Sequence, residues 1–89
     1  MILGKICGAL HSTINHPFYD NRRLLVVDCL NLENKPTGEY LIAVDAVDAG
    51  AGETVLMIDE GNSARQIAGD DLAPIRSIIV GIVDQVQHF

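Results

Sequence analysis

Tryptophan is missing from this chain, and tyrosine and phenylalanine together make up only 4% of it. A core or ligand site built on large flat rings is therefore excluded, and the apolar 48% consists mainly of Val, Ile, Leu and Ala. Cations are scarce too: six Lys and Arg stand against twelve Asp and Glu, a formal net charge of −6. Nucleic-acid binders need a basic surface to replace the counterions on phosphates, and beyond Arg22-Arg23 the chain has no basic cluster, so no nucleic-acid partner is expected. No apolar run reaches the roughly 18 residues of a membrane span, so no membrane partner is expected either. The opening MILGKICG carries neither the basic region nor the cleavage site of a signal peptide, which places the protein in the cytoplasm as an expectation. Only two cysteines occur, Cys7 and Cys29, widely spaced within apolar runs. They read as small buried hydrophobes rather than a disulfide or a metal pair.

With 89 residues the chain reads as a single domain, residues 1–89, and a domain of that size hides only about 60–65% of the surface its unfolded chain exposes. The aliphatic content exceeds what one thin core absorbs, which points to association with copies of itself. Five runs rich in β-branched residues and bounded by turn formers predict strands at 2–10, 24–30, 40–47, 54–58 and 78–86. In the first, Ile2, Gly4, Ile6, Gly8 and Leu10 fall on one face, and Leu3, Lys5, Cys7, Ala9 and His11 on the other, wetter one. Leu24-Leu25-Val26-Val27 and Ile78-Ile79-Val80 are apolar on both faces, as strands covered on both sides require. Asn15-His16-Pro17 with Asp20-Asn21 predicts a first loop, NLENKPTG (31–38) a hairpin turn, and Asp59-Glu60-Gly61-Asn62 another turn. Ser63 is positioned to cap a short helix over 64–68, ended by Gly69-Asp70-Asp71, and Pro74 forbids a long helix beyond it. The fold class is mostly β: a small, partly open five-stranded OB-like barrel with one short helix, whose strand edges pairing with another subunit would protect.

The candidate sites are weak taken singly. Gly50-Ala51-Gly52 has glycines of a dinucleotide fingerprint but leads into a strand, Glu53 to Ile58, with no helix N-terminus to hold a phosphate. It reads as a turn between strands that needs unusual φ or close backbone approach. Asp45 and Asp48, three apart on a strand-like run, fall on opposite faces and read as solvated charges rather than an acid/base pair. His11, His16 and His88 lack zinc-ligand spacing, and Cys7 with His11 finds no second pair, so no metal and no cofactor is assigned. Ser63 and Ser77 have no evident His partner in sequence, and no catalytic residue is assigned.

Taken in order, the motifs resemble a known family. Leu3-Gly4-Lys5-Ile6-Cys7-Gly8 is similar to an opening LGKVxG. Thr13, His16-Pro17 and Leu24-Leu25-Val26-Val27 follow, then Val44-Asp45-Ala46-Val47 leading into Ala49-Gly50-Ala51-Gly52-Glu53 and Val55-Leu56. Gly61-Asn62-Ser63-Ala64-Arg65 is close to GSSAR, and Pro74 and Ile79-Val80-Gly81-Ile82-Val83-Asp84 complete the match. The chain resembles the EutN/CcmL family, the pentameric vertex proteins of bacterial microcompartment shells, over nearly its whole length. The resemblance implies a non-catalytic OB-like barrel closing into a homopentamer that plugs the fivefold corners of a shell of hexameric or trimeric tiles in the bacterial cytoplasm. It also implies that Gly50 and Gly52 serve close packing between subunits, so that a bulky β-branched residue at either weakens the ring more than the subunit. Asp48, Ala49, Gly50, Ala51, Gly52, Glu53, Ser63 and Arg65 are then the candidate interface or pore residues, with Arg65 offering a charged contact.

Two departures stand out. Asp48 replaces a common Gly of the family, and Asn15 a common Lys. If the loop faces the fivefold axis, five copies of Asp48 would form an acidic ring that raises its apparent pKa or demands a counter-cation; a solvated turn residue is the plainer reading. Two other functions stay open on the residues alone. One is an isolated OB-like module for a small ligand or peptide. The other is a small enzyme whose site is completed between subunits through Asp45, His11 or Ser63.

Overall fold

The computed structural model describes residues 1–10, 22–69 and 76–85. His11, Thr13, Asn15, His16, Pro17, Asp20, Asn21, Asp70, Asp71, Pro74 and His88, on which some of the expectations above fall, lie outside the described residues. In chain order the elements are β1 (Ile2–Leu10), β2 (Leu24–Leu30), β3 (Pro36–Asp45), β4 (Thr54–Asp59), α1 (Gly61–Ala68) and β5 (Ser77–Ile82).

The strands close into a barrel in the order β1-β2-β3-β5-β4. Closure, where a partly open barrel was expected, comes from β4 returning antiparallel to β1 through Ile2↔Met57, Leu3↔Leu56, Gly4↔Val55 and Lys5↔Thr54. The seam between β3 and β5 is parallel and short, Val44↔Ile78 and Asp45↔Ile79. Residues 36–43 of β3 are therefore paired to β2 on one side, with β5 reaching only the strand's far end on the other.

Period-two spacing carries the core. Ile6, Leu25, Val27, Cys29, Val55, Met57 and Ile79 point into the barrel and pack with Ala43 and Ala49. A second cluster, Val44, Ile78 and Ala64 with Leu24, Ile58, Ala68 and Val80 around it, lies beneath α1. This explains the doubly apolar run: Ile79 fills the barrel while its neighbour Ile78 packs under the helix.

The predicted alternation along β1 holds only to Ile6. A register shift follows, so that Ile6 faces Val27 and Gly8 faces Val26, with Cys7 the extra residue of a bulge. Past the bulge the faces exchange, and Gly8 joins Val26 on the outer surface. Cys7 is exposed rather than buried, its Sγ 3.4 Å from the Val26 carbonyl, whereas Cys29 is buried as expected. Gly4 sits close against the neighbouring core side chains: a β-carbon there would lie 2.3 Å from Val27 Cγ1 and 2.9 Å from Met57 Cε.

The β2–β3 hairpin turns on Asn31, whose Oδ1 accepts from the Glu33 and Lys35 N–H groups at 2.9 and 3.1 Å. That tight turn lets Pro36 pair with Leu30, so β3 begins four residues earlier than the expected Tyr40. The helix also starts earlier. Glu60 caps it, its Oε2 accepting from the Ser63 N–H at 2.9 Å and its carbonyl from the Ala64 N–H. Ser63 is thus inside the first turn rather than its cap. Gly69, at φ 73°, ends the helix as predicted.

Candidate functional site

Residues 45–53, between β3 and β4, hold most of the sequence-predicted site. Asp45 ends β3, and its side chain is only 3% exposed. Its carboxylate accepts from the N–H groups of Val47 (3.1 Å) and Ala49 (3.1 and 3.2 Å), folding the chain back over the end of the barrel. Arg23 answers the charge: Nη1 lies 3.8 Å from Asp45 Oδ2 and 3.2 Å from Asp48 Oδ1, and Nη2 donates to the Ala49 carbonyl at 2.8 Å. Asp45 is therefore a buried organiser of the loop, not a solvated charge. The two aspartates expected on opposite faces meet on one guanidinium, because β3 ends at Asp45 and the chain turns there.

Asp48 has φ 57°, a left-handed conformation that short polar side chains tolerate and glycine adopts freely. This gives a physical reason why one position accepts either Gly or Asp. Its side chain is 95% exposed.

Gly50 to Glu53 forms a turn closed by the Glu53 N–H on the Gly50 carbonyl at 3.1 Å, with Gly52 at φ 83° in the position that calls for glycine. The turn is bonded to β1 on both sides of Ile6: Gly52 N–H to the Ile6 carbonyl at 2.9 Å, and Ile6 N–H to the Glu53 carbonyl at 3.0 Å. The Gly50 N–H donates to Glu53 Oε1. A phosphate cradle needs free N–H groups, yet those of Gly50, Gly52 and Glu53 are all engaged within the chain, and a carboxylate already occupies the first. Ala49 is fully buried in the core below, while Ala51 and Gly52 face solvent.

Ser63 and Arg65 form a separate feature on α1. Both are half-buried. The Arg65 guanidinium folds back over the helix start, with Nη1 3.0 Å from where a Gly61 β-carbon would stand. Ser77 Oγ donates to Asp59 Oδ1 at 2.5 Å, and Arg76 Nε lies 3.3 Å from the same oxygen, a structural tie between β4 and β5. Among the described residues no group of three or more His, Cys, Asp or Glu is placed to hold a metal ion. Burial pushes the Cys29 thiol pKa up, helped by the charges of Glu39, Asp28 and Asp59, which keeps it protonated and inert.

Sequence reasoning missed Arg23 and Glu60. For Arg23 the signal was the strand register, since pairing Leu24 with Val44 sets Arg23 beside Asp45. It also missed Asp28, whose Oδ1 is shut off from solvent without a hydrogen-bond partner among the described residues.

Over residues 1–84 the chain matches the family described as "Ethanolamine utilisation protein EutN/carboxysome". It is 41% identical over 87 residues to the bacterial microcompartment shell vertex protein GrpN of Rhodospirillum rubrum, covering 98% of this chain and 97% of that protein. Against the shell vertex protein EutN of Salmonella typhimurium it is 35% identical over 86 residues, covering 97% and 86%. Among solved structures, the pentameric microcompartment shell protein GrpN from Rhodospirillum rubrum superposes with a TM-score of 0.87 at 38% identity, covering 99% of this chain and 100% of that one. The CcmL structure from Gloeobacter violaceus gives a TM-score of 0.90 at 30% identity, covering 99% and 90%.

Proposed function

This chain belongs to the EutN/CcmL family, and from that premise we propose that it is a structural shell protein that closes into a homopentamer and caps the vertices of a bacterial microcompartment in the cytoplasm. A flat sheet of hexagonal tiles has no curvature; pentagonal units at its corners let it close. The observation that carries the reading is the end-to-end superposition on a pentameric shell protein, at 99% and 100% coverage of the two chains. The closed barrel fits the role, since its inward side chains pack against one another as the core of a structural subunit. We assign it no catalytic activity, in keeping with relatives named as shell proteins.

Asp48, Ala49, Gly50, Ala51, Gly52, Glu53, Ser63 and Arg65 are proposed to lie at the subunit interface or around the fivefold opening. The rigidity of the 45–53 turn supports this, since a loop fixed by its own hydrogen bonds presents the same shape in every copy. If Asp48 lines the axis, each copy brings Arg23 with it, 3.2 Å away, so the ring would consist of ion pairs rather than bare carboxylates. Docking of the pentamer against hexameric or trimeric tiles follows from the same reading.

Light scattering or native mass spectrometry of the purified chain tests the proposal. The expected mass is five times that of one chain; a monomer at every concentration up to the millimolar range refutes it. Co-expression with the hexameric tiles of the same shell is expected to give closed particles, and open tubes or sheets when this chain is left out.

A further inference from the structure

The outer surface of β1, β2 and β3 carries a row of residues that the barrel does not use. Register sets Lys5 beside Asp28 and Asp28 beside Tyr40; the next row is Gly8, Val26 and Ile42. Tyr40 is 62% exposed and Ile42 54%, a costly placement for a chain with so few aromatic residues. Opposite Tyr40, Asp28 Oδ1 is withdrawn from water and takes no hydrogen bond from the described residues, Lys5 across the strand pair included. A native structure rarely leaves such an oxygen without a reason, because the desolvated acceptor forfeits its hydration and gains nothing in exchange. Among the described residues no strand pairs with the β3 edge beside Tyr40 and Ile42 over residues 36–43, and an edge of this kind is a template for another chain. Apolar side chains left in water, an open edge and an acceptor without a donor thus coincide on one face, the make-up of an interface core with a single desolvated polar anchor.

Resting on the shell-subunit reading above, we infer that this face receives the neighbouring copy of the chain in the ring, and that Asp28 is its central acceptor, completed by a cationic N–H donor that the neighbour brings. Charge decides the kind of donor. Each copy carries a formal net charge of −6, so covering another carboxylate without a cation would add to an existing repulsion. Rotation about the Cβ–Cγ bond exchanges the two carboxylate oxygens, so the approaching donor meets a group with unmet acceptor capacity.

The test uses two variants of the full chain, Asp28→Leu and Ile42→Lys, with ring dissociation followed by analytical ultracentrifugation or native mass spectrometry and subunit folding by far-UV circular dichroism. Loss of a charge-assisted hydrogen bond in Asp28→Leu is expected to raise the concentration at which rings fall apart about tenfold or more. Ile42→Lys, at a side chain outside the core, is expected to abolish the ring while the subunit stays folded. A ring that is as tight or tighter in Asp28→Leu shows that the carboxylate is only a defect of the single chain, and overturns its role as anchor. An intact ring in Ile42→Lys overturns the location, and decides alone if Asp28→Leu does not fold. A wild-type pentamer with both variants unaffected removes this inference and leaves the shell reading standing; a wild-type chain that never forms a ring removes both.

Discussion

Replacing Gly4 by alanine adds one methyl group inside the barrel, against Val27 and Met57. The new β-carbon would stand 2.3 Å from Val27 Cγ1, 2.9 Å from Met57 Cε and 3.2 Å from the Asp28 carbonyl oxygen. The Met57 contact is the end of a flexible side chain and can yield. The Val27 contact is about 1 Å inside ordinary van der Waals distance, and Val27 is fully buried with stiff χ1, so its methyl group has nowhere to turn. The carbonyl belongs to the β1–β2 ladder and is held in place. Overpacking of this kind costs about 1–3 kcal/mol, and the gain of alanine over glycine in extended backbone returns about 0.5–1 kcal/mol, so a net loss of roughly 1–2 kcal/mol is expected. Urea unfolding at one fixed chain concentration measures it, since ring formation adds a concentration-dependent term. Val27→Ala opens the space that the methyl group needs. If the clash is the cause, Gly4→Ala combined with Val27→Ala should be more stable than the sum of the single losses by about 1 kcal/mol. A Gly4→Ala loss below about 0.5 kcal/mol, or strict additivity in the double variant, would refute the argument.

Asp45→Ala strips the acceptor from the Val47 and Ala49 N–H groups and leaves Arg23 with Asp48 and the Ala49 carbonyl among the described residues. A loss of about 2–4 kcal/mol is expected in thermal or urea melts, with Asp45→Asn recovering part of it; an unchanged melt would show that the carboxylate does not organise the loop. The two thiols should separate cleanly. Ellman's reagent is expected to modify Cys7 in the folded subunit and Cys29 only after unfolding, and fast reaction of both would contradict the barrel packing. Because folding raises the Cys29 pKa above its ordinary 9.0, the folded chain keeps a proton that the unfolded chain gives up. That contribution is complete below pH 9 and fades as pH climbs through the folded value, so unfolding free energy should decline more steeply above about pH 9 in the wild type than in Cys29→Ala.

Strand existence was legible because β-branched runs alternate with polar breaks, and β1 and β2 have the predicted bounds. The edges that differ do so for tertiary reasons. Pro36 looks like part of a turn, yet the Asn31 side chain, with the backbone bonds from Asn34 N–H to the Asn31 carbonyl and from Asn31 N–H to the Lys35 carbonyl, completes that turn by residue 35 and releases Pro36 to the ladder. Gly61 looks like a poor helical residue and Ser63 a good cap, but Glu60 reaches the Ser63 N–H with its longer side chain. β5 ends at Ile82 because its partner β4 begins at Thr54, and beyond Val55↔Ile82 the Val83 N–H bonds the Thr54 carbonyl. The bulge at Cys7 left no trace in the periodicity, since small and apolar residues occupy both faces around it. The Arg23, Asp45 and Asp48 cluster was invisible for a different reason: it spans 25 positions, and only the β2–β3 register brings its ends together.

If the 45–53 turn lies at the ring contact proposed for it, Gly50-Ala51-Gly52 finds its explanation in what a repeated subunit requires. In a ring of identical copies, any disorder that association must freeze is frozen once per copy, so a flexible loop at a symmetric contact multiplies its entropic cost by the number of subunits. The chain avoids this by spending the loop's donors internally: Asp45 takes Val47 and Ala49, Glu53 takes Gly50, and Ile6 takes Gly52. Glycine at position 52 is needed for the φ of 83° that lets the last of these bonds form, and a β-carbon there meets nothing within 4 Å. A valine at 52 would therefore strain the turn before it met any neighbouring copy, whereas at 50 a β-carbon meets the Glu53 carboxylate at 3.1 Å. The same internal bonds that disqualify the loop as a phosphate cradle make it a preformed surface, and the two glycines that look like one motif answer to different constraints.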